Sequence, residues 1–209
     1  MITLKKLQWD NCFSYGSNNS IDLNDTTLTQ LLGKNGAGKS SLLRAIAGTV
    51  KESKGSINFE CKNVNSLSAA ARVKSGLTLV PEGRQIFVSM TVEENLLIGA
   101  YSQTGTQVKS SVESIFDRFK NLANRRHQLA SVLSGGEQQR VAIARSLASD
   151  TSIILADEPT GNLDEKTSEE VFSYFLKLKQ KNKTILIATH NRELARRADY
   201  TLRLSDGNI

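Results

Sequence analysis

The sequence predicts an α/β domain built on a mainly parallel sheet, and three observations carry that prediction. Apolar strand-like runs alternate with helical stretches along most of the chain, the pattern left when helices cross between parallel strands. A glycine-rich turn, "GKNGAGKS" from Gly33 to Ser40, lies directly between one such strand and a helix. A later apolar run, "SIILADEP", ends on two adjacent acids, Asp157 and Glu158. With 209 residues and 39% hydrophobic side chains, the chain is long enough to bury the core of one domain.

The elements follow in order. Alternation in "ITLKKLQW" and the run "TLTQLL" read as strands, and "KSSLLRAIAG" reads as a helix ending near Gly48. "GSINFE" and "GLTLV" are further strands, while "TVEENLLIGA" and "QVKSSVESIFDRFKNLANR" are helices separated by the connector "SQTGTQ" at 102–107. Then come helix "GEQQRVAIARSLAS", strand "SIILAD", helix "EKTSEEVFSYFLKLKQK", strand "KTILIAT", helix "NRELARRA" and the closing segment "YTLRLSDGNI". The expected organisation is one domain over 1–209, with a core of 1–84 and 151–209 and a helical subdomain over 85–150.

Composition narrows the function classes. No run of about 18 apolar residues is present and the N-terminus lacks an apolar segment after its lysines, so neither a spanning helix nor a secretion signal is read. Cys12 and Cys61 have no second cysteine or histidine at ligand spacing, which argues for reduced, packed thiols rather than zinc or a disulfide framework. The net charge of +6 is spread over scattered lysines and arginines, which read as solvated faces rather than a nucleic-acid patch. His127, in "ANRRHQLAS", reads as a surface residue.

The motifs carry the chemistry. "GKNGAGKS" matches G-x-x-x-x-G-K-S in its required setting, after a strand and before a helix. Gly33, Gly36 and Gly38 let the backbone turn so that N–H groups face phosphate oxygens, and Asn35 and Ser41 belong to the same cradle. Lys39 is expected to reach the β- and γ-phosphates and Ser40 to offer its hydroxyl to Mg²⁺. Adjacent strand residues face opposite ways, so Asp157 and Glu158 cannot share one role. Asp157 is expected to hold the metal through water, and Glu158 to orient and deprotonate the attacking water. His190 ends the strand "TILIAT" at the edge where ligands collect in open α/β sheets, and is expected to meet the γ-phosphate. "LSGGEQQR" opens a helix with a serine and two glycines, a second anion site that one chain with one phosphate loop does not need.

Taken together and in order, "GKNGAGKS", "LVPEGR", "LSGGEQQR", "ILADEP", "GNLD" and "ATH" identify the chain as resembling the ATP-binding cassette ATPases over essentially its whole length. The resemblance implies a phosphate-loop core with an N-terminal antiparallel β part and a helical signature subdomain. It also implies ATP and Mg²⁺, and a head-to-tail dimer holding each ATP between one subunit's phosphate loop and the other's signature. By that resemblance Ser134, Gly135 and Gly136 clasp the partner's γ-phosphate, Asp164 lines the dimer interface and Tyr15 stacks on adenine. Glu82 stands where most cassettes carry a metal-holding glutamine. A carboxylate can also ligate Mg²⁺, and Arg84 two residues on is expected to offset its charge.

Residues 42–100 look like branched-chain amino-acid importer ATPases, residues 131–190 like lipoprotein-release and macrolide-export ATPases, and the N-terminus like phage and SMC-like recombination ATPases. That mosaic also suits a chimeric or composed cassette. The leading expectation is an ATPase subunit energising a membrane transporter, cytoplasmic and peripheral on the cytoplasmic face of the inner membrane, with a second, identical ATPase subunit and transmembrane permease subunits as partners. A DNA-repair or chromosome-structuring ATPase head is the rival. It is disfavoured because no sustained heptad run interrupts the chain. An ATP-gated dimerisation module without turnover is a third reading, against which the intact Glu158 and His190 stand.

Overall fold

The computed structural model describes residues 6–10, 19–22, 28–33, 38–51, 56–59, 62–161, 163–191 and 196–204. Five strands form the core sheet: β3 (Leu28–Gly33), β6 (Leu77–Val80), β7 (Ile153–Asp157), β8 (Thr184–Thr189) and β9 (Tyr200–Leu204). Their order is β6-β7-β8-β3-β9 and every neighbouring pair is parallel. A separate antiparallel sheet is ordered β2-β1-β4-β5, from β1 (Lys6–Asp10), β2 (Asn19–Asp22), β4 (Ser56–Phe59) and β5 (Lys62–Asn63).

Every residue of β7 and β8 is buried, as expected for central parallel strands covered on both faces. Side-chain alternation divides them between two cores. Ile153 and Leu155 of β7 and Leu186 and Ala188 of β8 join a layer with α1 (Lys39–Ala47), Ile57 and Phe59. Ile154, Ala156, Ile185 and Ile187 join the opposite layer, with α3 (Val92–Gly99), α4 (Thr106–Arg118), α6 (Gly135–Leu147) and α7 (Glu165–Lys179). Asp157 continues the odd-numbered series and therefore emerges on the face carrying α1. That parity selects its partners.

Helix boundaries have local causes. Thr91 and Glu94 form a capping box at α3, which satisfies two of the donors that every helix start leaves open. Phe172 and Phe175, on the buried stripe of α7, are 2% and 0% exposed. Each such burial is worth about 1.5–3 kcal/mol, more than the intrinsic preferences of the polar residues between them.

Three expectations are corrected. The long helix read over 107–125 is broken at Phe119, whose backbone (φ −113°, ψ 66°) separates α4 from α5 (Lys120–Ala123). Burial of that ring against Tyr174, with centroids 4.2 Å apart, drives the break. The connector expected to run to 107 ends earlier, at Gly105, because α4 begins at Thr106. Of the helix read over 191–198, residues 192–195 lie outside the described residues and Arg196–Arg197 form a turn. The short helix α2 (Ala69–Lys74), capped by Ser68, went unread because its alanines show no apolar period. Cys12 and Cys61 lie outside the described residues.

Candidate active site

β3 ends at Gly33 and α1 begins at Lys39, so the strand-loop-helix setting of the phosphate-loop pattern is present. Asn35 and Gly36 lie outside the described residues, as does Tyr15. Gly38 has φ 84°, the left-handed conformation that glycine adopts without a Cβ penalty, and leads directly into the helix. No acid occupies the first turn of α1, which leaves the positive end of the helix dipole for an anion. Lys39 is 5% exposed and Ser41 is exposed.

The first carboxylate group of the site gathers around α1. Ser40 Oγ donates to Asp157 Oδ1 at 2.8 Å. Asp157 Oδ2 is buried and accepts no hydrogen bond, with Arg44 Nε at 3.7 Å. Burial pushes the Asp157 carboxyl above its usual range, and the Ser40 hydrogen bond and Arg44 charge offset only part of that shift. Glu82 lies at the rim, its Oε2 3.9 Å from Arg44 Nη2. The cation facing Glu82 is thus Arg44 and not Arg84, as the sequence suggested. Arg84 turns instead toward α6, where its Nη1 donates to Gln138 Oε1 at 3.4 Å. The cause is backbone direction: Gly83, Arg84 and Gln85 all have positive φ, which swings the chain away after Glu82.

The second carboxylate has different neighbours. Glu158 Oε1 accepts from Lys39 Nζ at 3.4 Å and faces His190 Nδ1 at 3.1 Å, so a proton on Nδ1 completes a hydrogen bond. Glu158 Oε2 is buried without a hydrogen-bond partner. The residue adopts φ 43°, a conformation that costs a side chain of about 1–2 kcal/mol and that turns it out of the strand series. Its N–H donates to Ala188 O at 2.9 Å, which pins the turn to β8. The start of α1 and the ends of β7 and β8 therefore deliver Lys39, Glu158 and His190 to one edge of the sheet.

The signature segment opens α6. Ser134 is its N-cap and forms a capping box with Glu137. Glu137 Oε2 accepts from the Ser134 N–H and Oγ at 2.8 Å each. Both glycines have intrachain packing reasons. A Cβ on Gly135 would lie 2.8 Å from the Arg84 guanidinium, and one on Gly136 would lie 2.8 Å from Thr167 Cγ2. Asp164 is exposed and caps α7, accepting from Thr167 N at 2.9 Å and Thr167 Oγ1 at 2.7 Å. Exposed His127 faces Glu93 Oε2 at 3.4 Å, away from any of these groups.

A family model described as "ABC transporter" matches residues 17–161. The chain belongs to the ABC transporter family. Among its relatives, this ABC ATPase is 32% identical to the high-affinity branched-chain amino acid transport ATP-binding protein BraG of Pseudomonas aeruginosa, over 91% of this chain and 82% of that one. It is 38% identical to the lipoprotein-releasing system ATP-binding protein LolD of Rickettsia bellii, over 91% of this chain and 86% of that one. Its fold matches a dimeric, post-hydrolysis ATP-binding cassette bound to ADP and Pi with a TM-score of 0.83 at 26% identity, covering 97% of this chain and 96% of that one. The importer and lipoprotein-release resemblances read in the sequence are thus both found among the relatives. The ABC ATPase binds nucleotide, hydrolyses ATP and is homologous to transporter-energising subunits, a reading favoured over the DNA-repair head. Among the described residues no helix is long and apolar enough to cross a membrane.

Sequence reasoning missed Arg44 and misassigned Arg84. Arg44 carried a usable signal: it stands four residues after Ser40, one helical turn along the same face. Arg84 carried none, because its partner is 51 residues away at Gly135.

Proposed function

We propose that two copies of this chain pair head to tail and hydrolyse ATP at the interface, energising the permease of a membrane transporter. The observation that carries this reading is Glu158, whose Oε1 is held by Lys39 and His190 while buried Oε2 has no hydrogen-bond partner. A carboxylate fixed through one oxygen and open through the other is suited to orient a water and accept its proton. Lys39 moves from Glu158 to the β- and γ-phosphates when nucleotide enters, which releases the carboxylate for that task. His190, 63% exposed at its side chain, meets the γ-phosphate. The loop glycines Gly33, Gly36 and Gly38, with Asn35 and Ser41, cradle the phosphates, and Tyr15 stacks on adenine. Ser134, Gly135 and Gly136 clasp the γ-phosphate of the partner's ATP, and Asp164 lines the interface.

The donor set near Ser40 fits Mg²⁺, which takes oxygen ligands, retains waters and is held by one or two carboxylates with substrate phosphates. Ser40 and Asp157, the latter through water, would hold it together with Glu82, and the unbonded Asp157 Oδ2 is the buried oxygen such a site leaves for a cation. Among the described residues no cluster of three or more His, Cys, Asp or Glu could hold a metal alone, so phosphate and water complete the set. Bound there, Mg²⁺ neutralises charge on the transferring phosphoryl group.

Permease contact falls to a groove of about 620 Å³ lined by residues including Arg44, Leu79, Phe87, Ile98, Tyr101 and Arg145. Phe87, Ile98 and Tyr101 are exposed there, and exposed Val88 and Leu97 neighbour them in sequence; a contiguous apolar surface of this kind suits a protein partner. The relatives are named as ATP-binding proteins of a branched-chain amino acid transport system and of a lipoprotein-releasing system, which favours a transmembrane permease subunit as occupant and a peripheral, cytoplasmic-face location. Residues 85–150, rich in helices and carrying both the signature and much of the groove lining, would move as one subdomain.

The test is Glu158→Gln. With ATP and Mg²⁺ it should form a stable species of twice the mass of one chain by light scattering, with turnover reduced at least about 100-fold, the scale of a lost general base. Full turnover, or a monomer under saturating ATP, would reject the assignment.

A further inference from the structure

Arg44 lies outside the phosphate-loop pattern, yet it faces both carboxylates at the cation end of the site. It stands one helical turn beyond Ser40, so both side chains leave α1 on one face. Ser40 holds Asp157 Oδ1 at 2.8 Å, while Arg44 Nε lies 3.7 Å from Oδ2 and Arg44 Nη2 lies 3.9 Å from Glu82 Oε2. Both Arg44 separations exceed hydrogen-bond length. The guanidinium therefore offsets charge without using the oxygen lone pairs that a metal needs. Asp157 is 0% exposed at its side chain, and a buried carboxylate oxygen without a donor is unfavourable unless a cation stands near.

We infer that Arg44 is a resident counter-cation of the nucleotide-free site, which stands between Asp157 and Glu82 and must be displaced when a divalent cation binds. This inference rests on the reading above that Ser40, Asp157 and Glu82 hold the metal. Displacement has a route. The Arg44 side chain is 41% exposed and lines the groove, so its head can swing there without crossing packed core. A cation and a guanidinium within a few ångströms of the same oxygen repel one another. Arg44 thereby sets how much divalent cation the site requires.

The probe is Mn²⁺ with a non-hydrolysable ATP analogue, read from the loss of the free-Mn²⁺ electron paramagnetic resonance signal. Arg44→Gln should bind Mn²⁺ about two- to fivefold more tightly than the wild type, the range expected for a partly exposed ion pair. Arg44→Lys keeps the charge but, as a point cation on a shorter arm, cannot span both acids, and should fall between the two. If Arg44→Gln does not fold, the lysine variant decides: affinity equal to or below wild type overturns the inference. Arg44→Gln binding no more tightly than wild type overturns it as well. A wild-type protein that holds the analogue but never recruits Mn²⁺ sinks the metal-site reading itself, so the two failures are distinguishable.

Discussion

Glu137 links the integrity of the signature segment to a single carboxylate. Its Oε2 accepts from the backbone and hydroxyl of Ser134, and its Oε1 pairs with Arg125 Nε at 2.6 Å. Burial alone would push this carboxyl up, but the Ser134 hydrogen bonds and the Arg125 and Arg140 charges outweigh it and hold it below 4.5. A folded-state value below the unfolded one means that the contribution is complete above about pH 4.5 and is lost as pH falls through the depressed value. Glu137→Gln keeps the shape but removes the charge. It should lower stability by about 0.5–2 kcal/mol near neutral pH, or roughly 1–8 °C in melting temperature for a chain of this size. That deficit should shrink in melts run progressively below pH 4.5. A deficit that is constant with pH would show that the ion pair and charged cap contribute nothing.

At the scale of elements, α1 is stabilised from the end remote from its chemistry. It carries Lys39, Ser40 and Arg44, while its last carbonyls are satisfied by Arg72 of α2, whose Nη1 donates to Ala45 O at 2.6 Å and to Ile46 O at 2.8 Å. Arg72 is 3% exposed and packs so closely on Gly48 that a Cβ there would lie 2.8 Å from its Nε. Truncating Arg72 to Ala removes the guanidinium from Ile46 O and leaves Ala45 O with only the Gly48 N–H at 3.0 Å, a loss of about 1.5–3 kcal/mol on the usual scale for charged donors, readable as a lower denaturant midpoint. Nucleotide affinity should fall with it, because the helix that presents Lys39 and Ser40 loses the anchor at its far end. Unchanged midpoint and affinity would mean that water replaces the guanidinium without cost. This contact was illegible in the sequence, whereas α1 itself was plain from its setting between a glycine-rich turn and Gly48. Periodicity and turn residues report what neighbours along the chain impose. The Arg72 cap, the Phe119 break and the Arg84 contact on Gly135 depend on elements brought together only by the fold.

For the whole molecule, the candidate site divides in the same way. Lys39, Ser40, Asp157, Glu158 and His190 could be read because each sits at a strand end or helix start, and a parallel sheet brings such ends to one edge. Ser134 and Asp164 cap their own helices within one chain, so their assigned interface roles are properties of a pair. Symmetry supplies the test. In a head-to-tail dimer each site takes Lys39 from one subunit and Ser134 from the other. In a Glu158→Gln background, Lys39→Ala and Ser134→Glu should each abolish retention of labelled ATP through gel filtration, the first by removing the phosphate-facing cation and the second by placing an acid at the partner's γ-phosphate. Mixed in equal amounts, half the dimers pair unlike subunits, and each of these has one intact site and one doubly broken site. Retention should therefore recover to about a quarter of the Glu158→Gln level, on the assumption of random pairing between symmetric subunits. Recovery at no mixing ratio would place both residues in the same site of one chain and overturn the composite arrangement.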